Sequence, residues 1–160
     1  MKQIYQSLFI IIFMLIFSSS LSLAQENPWF DMINCSFCKN LTIHEGLLDN
    51  TTWEHYEITN GIVSITTVND NFKAAYEDVG MKMQEVADLF QKGEILPLCN
   101  MCMAIGELIQ LGIKSETVKT KHGDFTIMTS DKPEIIEKLK NWARRTNEEM
   151  EKMSAIPEKE

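Results

Sequence analysis

Cys35-Ser36-Phe37-Cys38 and Cys99-Asn100-Met101-Cys102 contain all four cysteines of the chain. The thiolate is the form that attacks disulfides and binds soft metals, and a C-x-x-C spacing brings two sulfurs within reach of one partner. Three chemistries suit two such pairs. Together they form a four-sulfur site for a thiophilic ion, Zn or Cu, with Cys35, Cys38, Cys99 and Cys102 as ligands. Alternatively, one or both pairs exchange with the disulfide of a redox partner protein. The third chemistry is structural bridging, either within each pair or through Cys35 to Cys99 and Cys38 to Cys102, and sequence does not choose among the three possible pairings.

Details weigh on each reading. Neither pair carries the glycine that often follows a zinc knuckle. Met101 and Met103 flank Cys102, and thioether beside thiolate suits Cu(I), although methionine next to cysteine is more often packing. A thioredoxin fold places C-x-x-C after a strand, whereas only Glu26 to Asn34 precedes the first pair here, and Pro97 and Pro133 are in the wrong places for the partner-contacting proline. Bridges within each pair close loops too short to stabilise much by chain entropy. Lys39 and Met103 follow the pairs, so the C-x-x-C-H signature of covalent haem is absent. His44, His55 and His122 are the remaining side chains suited to ligation or proton transfer, and each is read as a surface residue. No hydrolase triad, Walker motif or glycine-rich phosphate loop is present. These features point to a non-enzymatic binding module.

The elements expected to position the cysteines come as two copies of one pattern, about 33–92 and 97–153. Asn60-Gly61 and His122-Gly123 each divide two strand-like runs, the first runs ending at Thr59 and Lys121, and Asn-Gly favours a tight hairpin. Turning about Asn60-Gly61 sets Ile58 opposite Val63 and Tyr56 opposite Ile65. Those residues, with Val118, Phe125 and Ile127, are expected to face the core, leaving His55, Glu57, Ser64 and Thr66 wet. A long amphipathic helix follows each hairpin, through Phe72, Tyr76, Val79, Met83, Val86 and Phe90, and through Ile135, Leu139, Trp142, Thr146, Met150 and Met153. Asn69 or Asp70 caps the first and Asp131 the second. Ahead of each hairpin a further helix carries the cysteines in its first turn, with Gly112 closing the clearer copy. The expected fold class is α+β, a duplicated helix-strand-strand-helix unit whose four-stranded antiparallel sheet is covered by helices.

Lys2 followed by an unbroken apolar run of ten residues, Leu8 to Phe17, and by Ser22-Leu23-Ala24 reads as a signal peptide over residues 1–24. The run is too short for a membrane anchor. Export is expected, to the periplasm or beyond, with residues 25–160 forming one domain and no stable membrane insertion. Removing Lys2 from a chain of formal charge −8 leaves −9. Such acidity argues against nucleic acid or anionic lipid as a partner, since both require a concentrated basic face. Asn34, Asn40 and Asn50 begin glycosylation sequons.

The chain resembles uncharacterised exported bacterial proteins that carry a C-x-x-C in each half, a Trp-Glu strand start and a glycine turn. Cys35, Cys38, Trp53, Glu54, Gly61, Cys99, Cys102 and Gly123 carry that resemblance. It implies a protein of the bacterial envelope and brings no established activity.

Overall fold

The computed structural model describes residues 27–154, so the expected signal segment lies outside the described residues. Four strands form one antiparallel sheet: β1 Thr51–Ile58, β2 Gly61–Val68, β3 Lys114–Thr120 and β4 Gly123–Thr129. Their spatial order is β1-β2-β4-β3, so the second strand of each hairpin lies at the centre. Three α-helices complete the α+β fold: α1 Lys73–Gln91, α2 Asn100–Gln110 and α3 Pro133–Ser154. Among the described residues no helix is long and apolar enough to cross a membrane.

The hairpins turn one position earlier than Asn-Gly suggests. Ile58 pairs with Gly61 and Thr120 with Gly123, so the loops are Thr59-Asn60 and Lys121-His122. Both glycines answer to the central strand pair instead. A Cβ on Gly61 would collide with the carbonyl of Met128, and one on Gly123 with the carbonyl of Thr66. Gly123 also has a φ of +136°, which disfavours any other residue. The pairings Gly61 with Thr129 and Thr67 with Gly123 sit at equivalent ends of the β2–β4 ladder.

The covered face of the sheet is the one expected to be wet. Ile62 and Val68 are buried there, beside Ser64 and Thr66, with Thr51, Trp53, His55 and Glu57 on β1. Ile62 joins Leu108, Ile135, Leu139, Trp142 and Ala143 in the main core. Alternation alone misleads here because both faces carry apolar residues, and helix packing decides which becomes the interior. Helix α3 packs on β1, β2 and α2, so it lies over the hairpin of the other half. Its buried residues Ile135, Leu139, Trp142 and Thr146 follow the expected stripe. Arg144 pairs with Glu57 and Glu137, and Arg145 with Glu149, so the last helix edge is ion-paired.

Helix α1 packs chiefly on the turns beside it, Cys38–Thr42 and Asp70–Phe72. Asn69 accepts from the Asn71 N–H at the start of that second turn. Val79 is buried, while Phe90 near the C-terminal end is 43 % exposed. The Tyr76 hydroxyl donates to Asp124 on β4 at 2.8 Å. Burial, then that carboxylate, pushes the phenol up to about 12.

The helix expected ahead of the first hairpin is two short 3-10 turns, Cys38–Thr42 and Leu48–Asn50. Asn40 explains the difference: its side-chain amide donates to the carbonyls of Ser36 and Phe37, capturing acceptors that a continuing helix would use. Its burial also removes it from the glycosylation candidates.

His55 supplies a pH test of the covered face. Its Nδ1 lies 2.7 Å from Ser64 Oγ and its ring meets Trp142 edge-on at 5.0 Å. Burial lowers its pKa from 6.5 to about 4. The unfolded chain therefore holds that proton more tightly, and the stability from keeping the ring neutral is full above pH 6.5 and lost as pH falls to about 4. The loss is bounded at about 3 kcal/mol. In an NMR titration the imidazole should show a midpoint near pH 4; a midpoint near 6.5 would mean that α3 does not close over the sheet.

Candidate metal centre

The second pair is set by a helix start. Cys99 is the N-cap of α2, with φ −77° and ψ 169°, and Cys102 lies in the first turn. Gly112, at φ +86°, follows the C-cap Leu111, as the sequence indicates. The first pair sits on a tighter bend in which Lys39 N–H donates to the Cys35 carbonyl at 3.1 Å, as Met103 N–H does to Cys99 at 2.9 Å. Each pair thus opens one helical turn.

Reciprocal backbone bonds hold the turns together. Ser36 N–H donates to the Pro97 carbonyl at 2.9 Å, while Asn100 and Met101 N–H donate to the carbonyls of Pro28 and Trp29 at 3.2 and 3.0 Å. Residues 27–34 therefore strap across the second pair, a contact without any periodic sequence signal. Trp29 anchors the strap by donating its indole N–H to Thr146 at 3.3 Å, and the Arg145 guanidinium lies 5.8 Å from its ring centroid. Asp31 caps the following turn through Ile33 and Asn34.

All four sulfurs converge. Cys35 lies 3.6 Å from Cys102, Cys38 3.5 Å from Cys99 and 3.7 Å from Cys102, and all four lie within 4.8 Å of one another. Tetrahedral coordination at a Zn–S distance of ~2.3 Å places sulfurs about 3.8 Å apart, so the spacing fits a four-thiolate site. No pair is bonded. The cysteines are only 1, 1, 1 and 9 % exposed, in chain order. Phe30, Met32, Phe37, Leu98 and Met101 pack around them.

Four thiols this close cannot all ionise in a low-dielectric site. Bonds from Cys102 and Cys38 hold Cys99 far below the ordinary thiol range, helped by the N–H groups of Cys102 and Asp31. Cys102 is pushed far up by its bonds to Cys38 and Cys99 and by burial. At Cys38 the bond to Cys102 lowers the pKa, but the bond to Cys99, burial and the neighbouring sulfurs outweigh it and raise the thiol. Sulfurs held this close suit a soft cation, whose charge offsets the thiolates as their protons are displaced.

The histidines stand elsewhere. Among its polar contacts His44 Nε2 lies 2.9 Å from Asp78 Oδ2, joining the first-half loop to α1. His122 is exposed in its turn. His55 reaches the centre only indirectly, through Trp142, whose indole N–H donates to the Met101 carbonyl at 3.2 Å. Met101 lies between Cys99 and Cys102 and packs against both the cysteine cluster and the main core. Met103, the other thioether considered for copper, is 43 % exposed. An open cavity of about 730 Å³ runs between α1, α3 and the sheet, sharing Phe30, Met32 and Met101 with the wall of the cluster.

Comparison with protein-family models, curated proteins and solved structures finds no match.

Proposed function

We propose that this chain is an exported thiol-rich module that binds one thiophilic metal ion through Cys35, Cys38, Cys99 and Cys102. One observation carries the reading: four buried sulfurs from two distant segments lie within 4.8 Å of one another, with Cys35–Cys102, Cys38–Cys99 and Cys38–Cys102 near the length of a tetrahedral edge. A closed four-sulfur shell is the arrangement of a structural site, in which no position is left for substrate. Zinc fits it directly, and Cu(I) is the softer competitor. The charge supplied by the ion would offset the thiolates, while the apolar collar of Phe30, Phe37 and Leu98 excludes water from them.

Disulfide exchange with a partner protein is the second reading, and burial weighs against it. An attacking thiolate must reach a foreign disulfide, yet Cys35, Cys38 and Cys99 are each 1 % exposed. Export, cleavage after Ala24 and an envelope location remain part of the proposal, resting on the sequence of residues 1–24.

Native mass spectrometry of protein purified without chelator or reductant tests both readings. The expected result is one added metal per chain and four free thiols after denaturation. Cys38→Ser and Cys102→Ser, each breaking one pair, should both abolish retention. A metal-free mass lighter by four hydrogens would sink the metal reading and leave exchange or stapling.

A further inference from the structure

The face of the sheet away from the helices is ordered like an interface. Glu54, Ile65, Phe125 and Val118 lie side by side across the four strands in one row, and Tyr56, Val63, Ile127 and Glu116 in the next. Six apolar residues thus form a central block with one glutamate at diagonally opposite ends. Thr52, Thr67 and Thr120 frame it along one side, and Thr129 and Lys114 along the other, where Ile58 extends the apolar surface at the β1 end. Tyr56 and Val118 are 51 and 52 % exposed. The polar ties from helices to sheet side chains at Glu57 and Asp124 reach the opposite face.

An apolar centre with a polar rim is the anatomy of a protein interface, and an antiparallel sheet facing water normally carries polar residues there. We propose that this open face packs sheet-to-sheet against the same face of a second copy, making a two-fold dimer. Its dimensions favour that occupant. Four strands span roughly 19 Å, which one helix of about 10–12 Å diameter would cover only in part, whereas a second sheet of the same width covers it fully at a separation of about 10 Å. Strands of this length give a flat area of about 500 Å² per copy, so two copies bury at least ~1,000 Å², enough for a specific interface.

The charges permit self-association. Lys114 is paired with Asp131 at 2.6 Å, while Glu54, which accepts from the Tyr56 hydroxyl at 2.8 Å, and Glu116 are exposed at the ends of the block, where their charges remain wet. Two acidic chains of charge −8 repel at low salt, and the contact itself is apolar. Association should therefore tighten as salt rises, the opposite of an ion-paired interface.

Sedimentation velocity of the purified full protein from about 1 to 100 µM tests this. The expected species has twice the chain mass, and Phe125→Lys at the centre of the block should weaken the dimer by at least ~30-fold. Val118→Lys, on an exposed edge-strand position, is the milder second variant, with circular dichroism showing that the fold persists. A protein that stays monomeric at 100 µM, or a dimer that both variants leave intact, would overturn the proposal. A monomer that recruits a different protein to this face would do so equally.

Discussion

Stripping the metal with a strong chelator should lower the thermal midpoint by about 15 °C. The centre joins residues 27–42 to the start of α2, and only a few backbone bonds otherwise hold those segments, among them Ser36 to Pro97 and Met101 to Trp29. An ion present at a thousand times its dissociation constant stabilises the folded state by about 4 kcal/mol. That is a large share of the 5–15 kcal/mol typical of a domain. At about 4 °C per kcal/mol for a domain of this size, the shift follows. Calorimetry with and without chelator checks it, and Cys99→Ser should start near the stripped value and respond little to chelator. An unchanged midpoint in the untreated protein would mean that the sulfurs hold no structural ion.

Trp142→Ala should cost about 3–5 kcal/mol, the largest effect expected of any single core change. The indole fills the junction of α3, α2 and β1, stacks edge-on with His55 and donates to the Met101 carbonyl. Removing it opens a cavity that the neighbouring backbone cannot close. Trp142→Phe separates filling from tethering, because it keeps most of the apolar volume but loses the bond to the Cys99–Cys102 turn. Its expected cost is roughly 1 kcal/mol, with metal release about five-fold faster. Denaturant unfolding reads the first quantity, and metal transfer to a chromophoric chelator reads the second. If Trp142→Phe releases metal at the wild-type rate, the turn is held by the strap at Pro28 and Trp29 instead.

The sequence was most legible where periodicity is strong. The stripe from Ile135 to Thr146 is buried as expected, Gly112 closes α2, and the four cysteines meet although 61 residues separate Cys38 from Cys99. It was less legible where two faces compete. Tyr56, Val63, Ile65, Phe125 and Ile127 alternate as a core should, yet the interior forms around Ile62 with a histidine and a serine as neighbours. Alternation identifies a face but not the element that covers it. Asn-Gly suggested a turn one position late, because Gly61 is required by the close approach of Met128 on the neighbouring strand, a constraint that exists only after the sheet forms. The strap at residues 27–34 had no signal at all, since its irregular carbonyls accept from the first N–H groups of α2, donors that any sequence at a helix start supplies.

X-ray absorption at the edge of the bound metal tests the central claim most directly. Four sulfur scatterers at ~2.3 Å, lost together in Cys38→Ser, are the expected result for zinc. A shell dominated by nitrogen or oxygen, or the same spectrum from the Cys38→Ser protein, would contradict the four-cysteine centre.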